Sequence, residues 1–192
     1  MTSDLQKKWD QRYRQPFTDE PSAAWVLREN RHLLPALGDA LDLACGRGGN
    51  ALLLAEAKLN VQAWDLSPVA IEALRSHSKT KQLAIQAEVR DVLVQPPPPA
   101  SFDVIVVSYF LERTLADFLC AALRPGGLLF YQTFVRDKVS QQGPTQPEYL
   151  LAENELLSLF ATLRPRVYRE EGRIGDTTQG LRNEALFVGQ KR

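Results

Sequence analysis

Ala40-Leu41-Asp42-Leu43-Ala44-Cys45-Gly46-Arg47-Gly48-Gly49-Asn50-Ala51 runs from an apolar stretch, through an acid, into a loop of small residues. The next segment, Ala51-Leu52-Leu53-Leu54-Ala55-Glu56-Ala57, reads as a helix. Strand, tight turn and helix follow one another within about a dozen residues. Small side chains in such a turn let the backbone approach a ligand closely, and glycine also tolerates positive φ. The helix start presents free N–H groups and a partial positive charge. The turn therefore suits a small polar ligand, first of all an anionic one, held against bare backbone.

The same alternation continues on both sides. Helix 50–58 leads to strand Val61-Gln62-Ala63-Trp64. Ser67 then stands as N-cap, with Pro68 in the first helical position, before helix 68–77. Strand 83–89 follows, and Pro96-Pro97-Pro98-Pro99 is an extended surface spacer. Phe102 to Ser108 is apolar almost throughout, which predicts a central parallel strand covered on both faces. Helix 113–123 ends at a turn, Arg124-Pro125-Gly126-Gly127, and Leu128 to Phe134 is the next strand. Residues 135–149 read as loop and 152–163 as a helix with Leu156, Leu157 and Phe160 facing the core. Strand 166–171 after Pro165 and a last strand, Ala185 to Gly189, read as a hairpin, since no helical period lies between them. Near the start, residues 4–15 form a polar helix and 22–34 a second one with Ser22 as N-cap. This pattern predicts an α/β three-layer αβα sandwich: a Rossmann-like, seven-stranded, mostly parallel sheet with an antiparallel C-terminal hairpin. One domain is expected over 1–192, with a helical lid or cap at 1–35, a ligand-binding core at 36–134 and a C-terminal helix and hairpin at 135–192.

Composition narrows the function classes. Lysine plus arginine equals aspartate plus glutamate, 23 each, so binding of nucleic acid through bulk charge is not expected. Two cysteines, Cys45 and Cys120, make no disulfide framework, and with two histidines there is no metal-ligand spacing. No apolar run reaches membrane-spanning length and Met1-Thr2-Ser3-Asp4 opens no signal peptide, so a cytoplasmic protein without a membrane partner is expected. His32 and His77 are expected on the surface.

Sheets of this kind bind ligands beyond the carboxyl ends of their strands, at the topological switch point. Several predicted strand ends carry matching chemistry. Asp42 precedes the small-residue turn, and Asp65 ends the second strand, where a carboxylate can accept both hydroxyls of a ribose. Asp91 ends the third and could take an exocyclic amine; Ser108 and Tyr109 end the fourth. Each acid alone reads as a turn or cap residue. Their recurrence after successive apolar strands does not.

Leu41-Asp42-Leu43-Ala44-Cys45-Gly46-Arg47-Gly48 resembles the first motif of class I S-adenosylmethionine-dependent methyltransferases. Ala63-Trp64-Asp65 resembles their acidic second-strand motif and Val89-Arg90-Asp91-Val92 their adenine-binding motif. Phe102-Asp103-Val104-Ile105 and Leu123-Arg124-Pro125-Gly126-Gly127-Leu128 are similar to their fourth strand and the turn into the fifth. Within that superfamily, Trp64-Asp65-Leu66-Ser67 and the segment from Gly143-Pro144 to Glu155-Leu156 resemble the tellurite-resistance (TehB-type) small-molecule enzymes. The resemblance implies an S-adenosylmethionine site. Asp42 and the backbone of Ala44, Cys45, Gly46 and Gly48 would hold the methionine end, with Asn50 opening the helix beside them. Asp65 would take the ribose, Leu66 would pack on the adenine, and Asp91 with the Val92 amide would read its edge. Ser108 and Tyr109 would lie near the sulfonium. Ala44 departs from the family pattern, which has glycine there; alanine is small but lacks glycine's freedom at positive φ.

Trp9-Asp10-Gln11-Arg12-Tyr13 resembles the start of the same enzymes and of thiopurine-type relatives. Trp9 and Tyr13, four apart, share a face that either packs as an ordinary apolar stripe or closes over the cofactor. Arg113, Thr133, Arg173 and Arg182 fall on or after strand ends and in the hairpin, and are candidates for the substrate wall. No catalytic residue and no metal ligand is assigned. With no base constellation of His, Cys or Tyr visible, a small soft or anionic acceptor such as a thiol, selenium or tellurium species is expected, in a monomer or homodimer. Two alternatives stand beside this reading. Gly46-Arg47-Gly48-Gly49-Asn50-Ala51 fits G-x-G-x-x-A with Asp65 following, the fingerprint of a nicotinamide-dinucleotide oxidoreductase. A non-catalytic protein that binds S-adenosylmethionine and regulates a partner would carry the same cofactor motifs.

Overall fold

The apolar stretch around Leu41 forms β1 (Asp39–Leu43), almost wholly buried, as a strand covered on both faces must be. It lies between two parallel neighbours, β2 (Asn60–Asp65) and β4 (Phe102–Ser108). The computed structural model describes residues 2–16 and 19–192; Met1, Phe17 and Thr18, which fall in the cap expected at 1–35, lie outside the described residues. With β3 (Ile85–Val89), β5 (Leu123–Phe134), β6 (Arg164–Glu170) and β7 (Glu184–Gln190), the sheet has seven strands in the order β3-β2-β1-β4-β5-β7-β6. All neighbours are parallel except β7, which runs antiparallel to both β5 and β6. The chain thus has the expected mixed sheet and hairpin. The order also separates it from the dinucleotide fold, whose strands run 3-2-1-4-5-6 without an antiparallel strand wedged after the fifth.

Helices α2 (Trp25–Glu29), α3 (Gly49–Glu56) and α4 (Pro68–Thr80) cover one face. Val26, Leu27, Leu54, Ile71 and Leu74 pack there on Ala40, Val61, Val104, Val106 and Phe130. Helices α5 (Ala116–Ala122) and α6 (Glu155–Leu159) cover the other, where Leu119, Leu156 and Phe160 meet Leu41, Leu43, Ile105, Tyr131 and Phe187. Burying each such side chain contributes roughly 1.5–3 kcal/mol. Helix α1 (Thr2–Tyr13) packs against α4 at the carboxyl end of the sheet.

Several boundaries differ from those the sequence predicts. The helix expected over 22–34 is the single turn of α2 plus a 3₁₀ turn at Arg31–Leu33. Its N-cap is Ala24, not Ser22, because two distant side chains, Asn50 of α3 and Gln132 of β5, take over the capping. Arg124-Pro125-Gly126-Gly127 is not a free turn but part of β5. The β4–β5 ladder begins at Phe102↔Leu123, slips, and resumes at Val104↔Leu128. Gly126, at φ 80°, absorbs the irregularity. Helix 113–123 divides into a 3₁₀ turn, Arg113–Leu115, and α5, and helix 152–163 shortens to α6. Pro165 lies inside β6, which its place at the sheet edge permits. Ser67 caps α4 as expected, its Oγ accepting from the Ala70 N–H at 3.3 Å. His32 is exposed, whereas His77 is half-buried and its Nδ1 has no hydrogen-bond partner.

Candidate functional site

β1 delivers Asp42 to a fully buried position just before the loop. Its Oδ2 accepts from the Ala51 N–H at 3.0 Å and its Oδ1 from Asn50 Nδ2 at 3.3 Å. The acid therefore ties β1 to the start of α3. Burial pushes its carboxyl up to about 7, against the lowering effect of those two donors and with the help of Asp65 nearby. The loop then turns through three left-handed residues, Ala44 (φ 55°), Gly46 (φ 53°) and Gly48 (φ 85°). The family's glycine position, occupied here by alanine, does require positive φ. Gly48 also has no room for a side chain, since a Cβ there would lie 2.2 Å from Leu74 Cδ1. Gly48 caps α3 without a side-chain bond; of the first-turn amides, that of Ala51 goes to Asp42.

Asp65, at the end of β2, is buried beside this loop. It accepts from the Gly46 N–H and the Ser67 N–H, each at 2.8 Å. Burial raises its carboxyl above the usual range despite both amides. Leu66 next to it is half-buried. Cys45 is buried with its backbone paired to Trp64, and burial pushes its thiol well up, which suits packing and not nucleophilic attack. Asp91 and Val92 follow β3. Asp91 Oδ1 accepts from the Leu93 N–H at 3.0 Å, and the Val92 side chain is buried.

The side chains of α1 reach the same loop. Trp9 and Tyr13 stack with ring centres 5.9 Å apart. A Cβ on Gly46 would lie 2.9 Å from Tyr13 Oη, so this hydroxyl sits directly over the loop. Burial, then the charge of Asp65, drives the Tyr13 phenol well above its ordinary range. The Ser67 hydroxyl donates to Asp10, and Lys8 lies 6.0 Å from the Tyr149 ring centre. The helix thus bridges the α4 cap and the 135–149 loop, above the carboxyl ends of the strands.

Strand alternation places Asp42, Asp65, Ser108, Gln132 and Glu184 on one face of the sheet, at one end. Asn50 Nδ2 joins Asp42 to Ser108 Oγ, the latter at 2.9 Å. Gln132 Nε2 donates to Glu184 and, at 3.3 Å, to Tyr109 Oη. The two amide oxygens then cap α2: the Ala24 N–H donates to Asn50 Oδ1 at 2.8 Å and the Val26 N–H to Gln132 Oε1 at 2.6 Å. Gln132 and Glu184 were not singled out by sequence reasoning. The signal available was Gln132 within the run Phe130 to Phe134, and Glu184 directly before the apolar run Ala185 to Val188.

Of the four residues expected to line the substrate wall, none offers a free group to the cleft. Arg113 clamps the segment before α6, pairing with Glu155 at 2.6 Å and donating to the carbonyls of Glu148 and Leu150. Arg182 donates to the carbonyls of Gly172, Asp176 and Gln179 in its own loop. Arg173 pairs with Asp137 at 2.8 Å on the surface. Thr133 is buried and alternates to the opposite face from Gln132. No group of three or more His, Cys, Asp or Glu able to hold a metal ion occurs among the described residues. No helix among them is long and apolar enough to cross a membrane.

A sheet of this order, with acids near the carboxyl ends of β1 and β2 around a small-residue loop at a helix start, has the mixed topology that the resemblance to class I methyltransferases implies. Residues 40–127 match a family model described as a methyltransferase domain. The ubiquinone biosynthesis O-methyltransferase of Coxiella burnetii is 32% identical over 104 residues, covering 50% of this chain and 44% of the relative. The chain thus spans less than half the length of that curated relative. A structure reported for the conversion of a disulfide bond into a thioacetal group during echinomycin biosynthesis superposes with a TM-score of 0.74 at 25% identity, covering 97% of this chain and 92% of the other. TehB from Haemophilus influenzae gives a TM-score of 0.71 at 20% identity, over 96% and 67% of the two chains.

Proposed function

We propose that the protein is an S-adenosylmethionine-dependent methyltransferase acting on a small-molecule nucleophile. One observation carries this: Asp42 and Asp65 are buried beside the loop, each accepting from backbone or amide donors and, among the described residues, making no ion pair. Two buried acids without a cation suit a ligand bearing positive charge. S-Adenosylmethionine brings an ammonium and a sulfonium, while its carboxylate suits the amides at the start of α3. Its electrophilic methyl supplies the chemistry; the chain's part is to hold it, orient an acceptor in line with it and exclude water. Asp65 with Leu66 serves the ribose and adenine, Asp91 and Val92 the adenine edge, and Ser108 and Tyr109 the sulfonium side. Trp9 and Tyr13 form the lid.

Calorimetry with S-adenosylhomocysteine tests the reading. Wild type binds, and Asp65→Ala weakens binding by tenfold or more; equal affinity for the two proteins overturns the ribose assignment. A thiol, selenium or tellurium acceptor is the expectation from a sequence with no visible base. The folded chain supplies one candidate, which bears on the acceptor's chemistry.

A further inference from the structure

Tyr109 closes β4 in a left-handed conformation, φ 56°, which is rare and strained for a bulky aromatic. Strain of that kind persists where the surroundings fix it. Here the Tyr109 N–H donates to the Gln132 carbonyl at 2.9 Å, and its ring lies 5.3 Å from the half-buried Phe134 ring. The twist turns the phenol toward β7. Its hydroxyl bonds Glu184, a residue only 7% exposed, while the tyrosine itself is 47% exposed. One end of the pair is therefore buried and the other open to the cleft. Gln132 holds both partners, and the Val26 N–H fixes Gln132. Ser108, next in the chain, is tied through Asn50 to Asp42, so the pair adjoins the cofactor loop.

We propose that Tyr109, backed by Glu184, is the acid–base group that takes the acceptor's proton, and that the acceptor is a protic aromatic, a phenol-type hydroxyl, lying on the Tyr109–Phe134 rings. The inference rests on the methyltransferase reading above. Tyr109 is the catalytic residue; Glu184 acts through it and is a positioning residue and proton sink. In the step, the acceptor oxygen forms the new bond to the methyl carbon, and the carbon–sulfur bond breaks with both electrons staying on sulfur. The acceptor's proton passes to Tyr109 Oη as the phenol's own proton passes to Glu184, and then to water. Burial raises both groups, the phenol to about 12, so Tyr109 keeps its proton at neutral pH and the ionised Glu184 carboxylate is the stronger base toward it. The charges facing the pair are Glu184 itself, from β7, and Arg28, from α2, which lowers the phenol.

The test compares wild type, Tyr109→Phe and Glu184→Gln with two probes: catechol, protonated at neutral pH, and para-nitrothiophenol, already ionised. Both variants are expected to lower the catechol-to-thiophenol rate ratio by about 100-fold or more, the usual scale of acid–base catalysis. The wild-type catechol rate falls on the acid side as Glu184 takes up a proton, and Glu184→Gln flattens that limb. A ratio unchanged within threefold in Tyr109→Phe overturns the proposal, as does a wild type that binds S-adenosylhomocysteine but does not methylate catechol. A wild type that does not bind S-adenosylhomocysteine overturns the parent reading instead.

Discussion

Ala44 holds φ at 55°, where its Cβ crowds the following carbonyl at a cost of roughly 1–2 kcal/mol. Replacing it with glycine removes that strain and adds backbone freedom to the unfolded chain, which opposes the gain by about 0.4–1 kcal/mol. Ala44→Gly is therefore expected to stabilise the protein by roughly 0.5–1 kcal/mol in urea unfolding, from the difference of those two effects. A loss of stability would mean that the alanine methyl packs usefully in the loop. Asp42 sets a different residue-level expectation. Its folded-state carboxyl stands at about 7, above the 3.8 of a free aspartate, so the folded chain holds this proton more tightly than the unfolded one. Stability linked to Asp42 is then present at low pH and falls as pH rises from about 4 to about 7. Asp42→Asn cannot ionise; its melting temperature, followed without ligand across that range, should show a flatter pH dependence than wild type.

At the scale of elements, the short helices owe their ends to side chains distant in sequence. α6 and the segment before it depend on Arg113, which spends its donors on Glu155 and two carbonyls. Arg113→Ala should cost about 1–3 kcal/mol, the range for a partly buried charged network losing one partner, while cofactor affinity stays unchanged. Unchanged stability with reduced turnover would restore Arg113 to the substrate wall. The same dependence explains what could be read from the chain beforehand. Asp42, Asp65 and the loop were legible because strand, acid, small residues and helix are contiguous. The Ser67–Pro68 start of α4 was legible because its cap is local. α2 was misjudged at its cap, since its donors meet Asn50 and Gln132, 26 and 106 residues away. Gln132 and Glu184, 52 residues apart, come together only through the pairing of β5 with β7. Arg113 and Arg182 stood as wall candidates because their backbone-carbonyl partners leave no pattern in the sequence.

At the scale of the molecule, the described contacts of α1 include Tyr13 over Gly46, Asp10 on Ser67 and Lys8 beside Tyr149, two of them on the cofactor loop and the α4 cap. Among the described residues its principal packing partner is α4. Removing residues 1–15 should raise the dissociation constant for S-adenosylhomocysteine tenfold or more and leave far-ultraviolet circular dichroism close to that of the full chain. A melted core would make α1 an ordinary packing helix. The placement of β7 reaches further. It is last in sequence among the strands, yet it sits inside the sheet, and β6 touches the rest of the sheet only through it. During synthesis, β5 and β6 present unsatisfied edges until residues 184–190 have left the ribosome. Pairings of such long sequence separation form late. Glu184 is the first residue of that strand, so the wall that would receive a methyl acceptor is completed in the same late event that closes the sheet.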